Sequence, residues 1–403
     1  MSDYDVLIAG AGVGGGALAL ALAVTSGARV LICDRRAGPG NINRGDSLLP
    51  AVTRHLRDWG ALPFVQAAGA RPVQRMQVFH HRAGLLFEAP LRLPAGAAPY
   101  LVLPHPEIER ALIEAAQRPG VRGHVEVRYR CKLTALHEAD GRVRGAVLVP
   151  EGGAEERVRA RLVVGADGSS STVRAGLGGT LPLTEYDHSF YITEIARPAA
   201  YEDAMRIELH PDGGVLVVPQ GCERVGLGVL VHRREEELFR AGPLAQKMAA
   251  IGRRSSLLSG AVPFPRGAHL YKLYRGHALR YVARGAVLMG DAVHVTNPTA
   301  GQGMTMAIED AEALARHLAP VLDRDAPLGS GRDERALDEA LRAYESERWP
   351  RNQAQIRWSH WLSRFYALGD RSGDALHRAV FGLGGSALGQ AIQRAVWARV
   401  ATR

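Results

Sequence analysis

The feature that most constrains this chain is a cluster of glycines directly after its first apolar run. Tyr4–Ala9 reads as a short buried strand, and it stops at Gly10-Ala-Gly12-Val-Gly14-Gly15. Ala17–Val24 then reads as a small-residue helix and Arg29–Cys33 as a second strand ending on Asp34. The first 34 residues therefore form a strand–helix–strand unit. In that setting G-x-G-x-x-G has a physical meaning. Gly10 permits the tight turn, Gly12 lets backbone approach a pyrophosphate, and Gly15 lets helix and strand pack closely. Asp34, 19 residues past Gly15, is placed to accept a hydrogen bond from an adenosine ribose hydroxyl. Val13, Gly14 and Arg35 complete the dinucleotide contacts expected here.

Composition narrows the class. The 403 residues are 46% hydrophobic and 23% charged, which excludes a disordered or collagen-like chain and allows two to three domains. The net charge is +9, and the only lysines are Lys132, Lys247 and Lys272, so the excess is arginine. That balance suits anionic ligands such as dinucleotide phosphates. No basic run exceeds two residues (Arg35-Arg36, Arg233-Arg234, Arg253-Arg254), too sparse for a phosphate-tracking stripe, so no nucleic-acid partner is expected. Cys33, Cys131 and Cys222 are odd in number and widely separated, which argues against a disulfide framework, a zinc site and a redox dithiol. No stretch approaches the ~20 apolar residues of a membrane span, and no basic-then-apolar leader precedes Tyr4. A cytoplasmic location is expected.

Further along, the chain changes style. Arg75–Ala89 has two extended pieces around His81-Arg82-Ala83-Gly84, and Ser189–His232 repeats short strands around Pro211–Gly214 and Gly221–Arg224, indicating an antiparallel sheet. A helix is expected over Pro106–Gln117, a strand over Ala286–Met289, and a helix carrying Met304, Ile308, Ala311, Leu314, Ala315 and Leu318 at helical spacing. The segment from Arg335 onward is mostly helical in pattern, broken at 382–385.

Two more motifs follow the first in order. Val163-Val-Gly-Ala-Asp167-Gly168-Ser-Ser-Ser-Thr-Val-Arg174 precedes Gly290-Asp291-Ala-Val-His294-Val-Thr-Asn-Pro298-Thr-Ala-Gly301-Gln-Gly303-Met304. With these the chain resembles the p-hydroxybenzoate-hydroxylase-like, single-component FAD monooxygenases over nearly its whole length. The resemblance implies an α/β fold with a Rossmann-type FAD-binding domain (1–72, 101–180 and 271–335), an antiparallel-sheet substrate domain (73–100 and 181–270) and a C-terminal helical region (336–403). It implies bound FAD with NADPH or NADH as a transient cosubstrate, and O2 activated at flavin C4a. Asp291 would accept from the ribityl chain. Gly301 and Gly303 open a helix whose N-terminus would stabilise the anionic edge of a reduced flavin, with Pro298 and Met304 beside it. Asp167, Arg174 and Arg44 match residues that the family uses toward FAD or the nicotinamide nucleotide. His105 and Thr305 depart from the family pattern, where arginine or glutamine and asparagine are usual. His294, in a glycine-rich turn, reads as a packed hydrogen-bonded residue. The His80-His81 pair reads as two opposite-facing side chains on one strand, a poor metal site, so no metal is expected.

For the substrate, Tyr191, Arg206, His210, Val217 and Pro219 lie on the expected sheet, with Pro298 on the flavin side, and His210 or Tyr191 would serve as a base toward a phenol. Period-two alternation leaves open which face looks inward. Gly301–Ala307 is similar to ubiquinone-biosynthesis hydroxylases and squalene epoxidases, implying a small apolar aromatic, quinone or prenylated quinolone acceptor. From Arg348 to Arg403 nine arginines face only Asp370 and Asp374, with Trp349, Trp358, Trp361 and Trp397 among them. Such helices suit peripheral membrane contact or an isoprenoid channel, and equally a core with a solvated arginine face. Oligomeric state is left open. Gly45-Asp-Ser-Leu-Leu-Pro50 is similar to a halogenase stretch, but the lysine and the W-x-W-x-I-P motif of halogenases are missing. An isoprenoid double-bond reductase and a non-catalytic flavin-binding protein remain as alternatives.

Overall fold

The computed structural model describes residues 3–40, 47–90, 98–258, 268–323, 331–368 and 371–382. Its first sheet places strand Asp3–Ala9 between two parallel neighbours, Arg29–Cys33 and Glu156–Gly165. His124–Arg128 and Ala286–Leu288 extend the parallel array on either side. Val6, Leu7, Ile8, Val30, Leu31, Ile32, Leu162, Val163 and Val164 are fully buried, as expected of parallel strands covered on both faces. Helix Val13–Thr25 is apolar on every side because it is sandwiched, packing against helices His105–Ala116 and Gln302–Leu322. Two long hairpin strands, Cys131–Ala139 and Arg142–Pro150, continue antiparallel from Glu156–Gly165.

The second sheet runs His294–Val295, His269–His277, Leu183–Ala196, Arg224–His232, Val215–Gln220, Met205–Leu209, Arg75–His80, Gly84–Pro90. It is antiparallel except at Met205–Leu209 and Arg75–His80, which pair in parallel. These two segments are not joined by a hairpin, so no tight turn dictates their relative direction. Strand His269–His277 crosses the boundary expected at 271 and belongs to this sheet through its pairing with Leu183–Ala196. Helices Glu236–Ala241 and Leu244–Gly252 cover one face, where Tyr191, Val217, Val229, Phe239 and Ile251 form a separate core. The other face meets Leu49, Val73, Tyr100 and Val102, in and beside a small sheet of Ser47–Leu48, Leu101–Val102 and Arg71–Pro72, through Met205, Leu216 and Val218.

Helix Gly331–Tyr366 lies along helix Gln302–Leu322 and is tied to the first sheet by charge. Buried Arg142 makes a bidentate pair with Asp338 at 2.8 and 3.0 Å, and Arg161 bridges Asp5 and Asp333. Helix Arg371–Gly382 packs on the edge strand Gly84–Pro90. Among the described residues, no helix is long and apolar enough to cross a membrane.

Candidate functional site

Three glycine-bearing loops, far apart in sequence, meet beyond the carboxyl ends of the parallel strands, where open α/β sheets bind ligands. Gly10 has φ +102°, and a Cβ there would lie 2.4 Å from the Ala166 carbonyl oxygen, beside Asp167. A Cβ on Gly14 would lie 3.4 Å from Ala307 Cβ and 3.5 Å from Met289 Cε. The first loop therefore rests on the second and on the helix that follows the third. Gly15 has no room either, since its Cβ would sit 1.9 Å from the Gly10 carbonyl oxygen. At Gly12 the nearest atom to a Cβ is Glu109 Oε1 at 3.7 Å, so that side is an open cradle.

Two helices begin at this meeting point without protein caps. Val13–Thr25 starts after Gly12 with no side-chain cap and no acidic residue in its first turn, and Gln302–Leu322 starts the same way after Gly301, at φ +63°. Each leaves backbone N–H donors and a positive dipole end free for an anion. These residues fit FAD: the first helix would hold the pyrophosphate and the second the pyrimidine edge of the flavin. Thr305, in the first turn of the second helix, has a buried Oγ1 without a hydrogen-bond partner. It lines a cleft of about 890 Å³ that runs between this helix, helix Pro50–Asp58 and helix Gly331–Tyr366.

The expected residues take distinct places. Asp34 sits beside the first turn, but its oxygens already receive four donors: Ala11 N, Arg36 N, Arg36 Nε and Arg36 Nη2. A carboxylate has about four lone-pair sites, so a ribose hydroxyl has to displace one of these. Burial would raise the Asp34 carboxyl, and Arg36 with the Ala11 N–H outweighs it and holds it below its ordinary value. Arg35 is exposed; the arginine turned to the loop is Arg36, which also reaches Glu109 at 3.0 Å. Glu109, buried on helix His105–Ala116, accepts from the Gly40 N–H at 2.7 Å and stands 3.6 Å from His105 Nε2. The sequence did not point to Glu109, because an acid on a helix gives no sign of facing a distant glycine loop.

Asp167 Oδ2 caps the short helix Thr172–Gly176 through Thr172 N and Val173 N, while its buried Oδ1 has no partner. Arg174 spends both arms on carbonyl oxygens, Ala292 at 2.8 Å and Ser169 at 2.7 Å. In this structure it ties the second loop to the third. Asp291 is exposed in the turn Gly290–Ala292; Pro298 opens the turn before Gly301, and Gly303 and Met304 lie half-buried in the first turn of the helix. Arg44 lies outside the described residues.

Behind the third loop is a buried polar network that the sequence reading passed over. Asp310 is fully buried; its Oδ2 accepts from His294 Nε2 at 2.7 Å and Gly290 N at 3.1 Å. Its Oδ1 accepts from Arg348 Nε at 2.8 Å and Asn352 Nδ2 at 2.9 Å. Asn352 continues to Tyr281 Oη, which meets His277 Nε2 at 2.6 Å. Burial alone would raise the Asp310 carboxyl; His294 and Arg348 outweigh it and hold it far below the carboxylate range. His294 is thus a packed, hydrogen-bonded residue. A signal existed: Asp310 falls four residues after Met306 and four before Leu314, on the buried stripe of the helix.

The substrate expectations need correction. Tyr191 packs against Phe239, ring centroids 5.1 Å apart, in the core under helices Glu236–Ala241 and Leu244–Gly252, and Val217 lies in the same core. Arg206 pairs with Glu208, which also accepts from Ser255 near those helices. These side chains face away from Tyr100 and Leu49; the residues turned that way are Leu216 and Val218, one position along the strand. By the same alternation Pro219 shares the face of Val217. His210 is held down to about 4 by burial, with His81 adding to the effect, and its ring lies 4.9 Å from that of His81. It belongs to a cluster with His80, His81, His377 and Asp374 at the sheet edge.

His80 and His81 are brought together, ring centroids 4.5 Å apart, because His81 lies past the strand end, where alternation no longer holds. With Asp374 their ligand atoms lie within 4.8 Å of one another. Hydrogen bonding speaks against a cation there. His80 Nδ1 accepts from Arg82 N and Ala83 N, so the proton sits on Nε2 and is donated to Asp374 at 2.7 Å, leaving no lone pair for a metal.

Comparison with known proteins agrees with the geometry. The model of the FAD binding domain family matches residues 3–359. The chain is 31% identical to the 6-methylpretetramide 4-monooxygenase of Streptomyces rimosus over 342 residues, 81% of this chain and 78% of that one. It is 30% identical to the 3-demethoxyubiquinol 3-hydroxylase of Escherichia coli strain K12 over 264 residues, 64% of each chain, so that match spans less than two thirds of the relative. Among solved structures, P. aeruginosa PqsL in complex with 2-aminobenzoylacetate aligns with a TM-score of 0.75 at 27% identity, covering 93% of this chain and 99% of that one. With glycine loops, uncapped helices and family model in agreement over one continuous stretch, the chain belongs to the FAD-binding-domain family and takes FAD as its cofactor.

Proposed function

We propose that this chain is a single-component FAD monooxygenase that uses NADPH or NADH and O2 to hydroxylate or epoxidise a small apolar aromatic, quinone or prenylated quinolone in natural-product biosynthesis. The observation that carries the reading is the pair of uncapped helix N-termini, at Val13 and Gln302, on helices that touch through Gly14 and Ala307. Bound FAD supplies the electron transfer and the oxygen activation. The protein's residues supply the rest. The Gly10–Gly15 loop and its helix orient the pyrophosphate, and the N–H groups at Gly303 and Met304 stabilise negative charge on the flavin edge. Asp310 fixes the Gly290 backbone and so the height of the Asp291 turn. Leu216, Val218, Tyr100 and Leu49 pack as an apolar core on the face of the second sheet opposite helices Glu236–Ala241 and Leu244–Gly252, the side on which an apolar acceptor would be sheltered from water.

Relatives named for hydroxylation of a demethoxyubiquinol and monooxygenation of a pretetramide support an aromatic or quinol-like acceptor. The test is oxygen consumption coupled to NADPH oxidation by the FAD-loaded protein, with quinones, quinolones and phenols offered in turn. Acceptor-stimulated uptake with labelled oxygen in the product supports the proposal. Anaerobic saturation of an isoprenoid double bond would instead make the protein a reductase, and no turnover with any acceptor would favour a flavin-binding role.

A further inference from the structure

We propose that the end of helix Gly331–Tyr366 and helix Arg371–Gly382 form a docking face for an anionic lipid bilayer. Arg357, Trp361 and Arg364 are exposed and follow one another at intervals of four and three, so they make a single stripe along one face of the helix, and Leu368, just past the helix end, is exposed as well. Trp361 is 66% exposed, unusual for a side chain of that size. The neighbouring helix buries Gly373 and His377, half-buries Phe381, and turns Leu376 and Val380 outward beside Arg378. The two helices form one unit: His377 donates to the Phe365 carbonyl oxygen at 2.8 Å, and its ring meets the Phe365 ring edge-on.

Charge selects the occupant. Between Arg348 and Gly382 the only acids are Asp370 and Asp374, and Asp374 is held inward by His80 at 2.7 Å. Asp374 is turned away, and of the acids on the packed strand Leu183–Ala196, exposed Asp187 lies within electrostatic reach of Arg364. The face still carries an excess of arginine beside tryptophan and leucine, which fits a surface offering negative headgroups above an apolar layer. The remaining tryptophans sharpen the assignment. Trp349 is not part of the face, since its Nε1 donates to the Ala278 carbonyl oxygen and its ring stacks on His277. The face is therefore a local feature of the helix ends, and an apolar acceptor dissolved in a bilayer would be met there.

The experiment is flotation of the full-length, FAD-loaded protein with phosphatidylcholine vesicles, with and without phosphatidylglycerol, at low and high salt. It requires no turnover, so its outcome is separate from that of the proposed activity. Binding only with phosphatidylglycerol, weakened by salt, is expected. The doubly substituted Arg357→Gln, Arg364→Gln protein should bind roughly thirtyfold more weakly. Trp361→Ala should bind more weakly while keeping its FAD content, since the side chain is at the surface. Absence of binding to anionic vesicles, or binding unchanged in both variants, would overturn the proposal. So would a wild-type dimer that Trp361→Ala converts to monomer in the absence of lipid, which would assign the face to a second copy of the chain.

Discussion

The carboxylate of Asp310 accepts a hydrogen bond from the backbone N–H of Gly290 at 3.1 Å, across the fully buried seam between the third glycine loop and the helix that follows it. The same carboxylate neutralises Arg348, which is itself almost fully buried. One side chain thus sets the position of a cofactor loop and balances an interior charge.

Replacing it should therefore be costly in two ways. Asp310→Ala leaves the Arg348 guanidinium with Glu309 as its one remaining ion-pair partner among the described residues, and should destabilise the fold by about 3–5 kcal/mol. Asp310→Asn keeps the shape and should lose less stability but still retain FAD poorly. Thermal unfolding of each variant, with and without added FAD, separates the two effects.

The glycines of the first loop should respond unequally. Gly15→Ala puts a Cβ 1.9 Å from the Gly10 carbonyl oxygen, so the apo protein itself should unfold more easily. Gly12→Ala meets no protein atom closer than 3.7 Å, so apo stability should hold while FAD affinity drops at least tenfold, about 1.4 kcal/mol. Equal loss of apo stability in both would contradict the cradle at Gly12.

Acid should destabilise the protein before its carboxylates titrate. His277 and His210 are each held at about 4, mainly by burial, against an ordinary value of 6.5. The unfolded chain takes up these protons near pH 6.5 and the folded chain only near pH 4. The unfolded state therefore binds more protons inside that window, and stability falls as pH is lowered through it. Denaturant midpoints measured across the window should decline, and His277→Gln should flatten the slope.

How much of this was legible follows from the kind of signal each element carries. The first strand, helix and second strand are written in local patterns, and the structure keeps Arg29–Cys33 to the residue. Helix His105–Ala116 lies within one residue of its expected span, because Pro106 marks its first turn. Strands Cys131–Ala139 and Arg142–Pro150 went unread, since Lys132, His137 and Glu138 break up the apolar pattern of the first and Arg144 and Gly145 that of the second. Which sheet face Tyr191 and Val217 occupy was not legible, since alternation leaves the face open and only tertiary packing shows that both lie on the helix-covered side. Glu109 escaped notice because it acquires meaning only from Arg36 and Gly40, far along the chain.

That placement makes a further test. Tyr191 is buried against Phe239, away from Leu216 and Val218, so Tyr191→Phe should leave turnover within about twofold and alter unfolding by under about 1.5 kcal/mol. A large loss of turnover with retained FAD would return Tyr191 to the reacting site.

The central claim is that these loops hold a flavin that activates oxygen. The most direct measurement is to reduce the FAD-loaded protein anaerobically with NADPH, mix it rapidly with oxygen, and follow the flavin spectrum, alone and with quinone, quinolone and phenol ligands. The account predicts a transient absorbance distinct from both the reduced and the oxidised flavin before reoxidation. Direct reoxidation without such a transient, under every ligand condition, would contradict it.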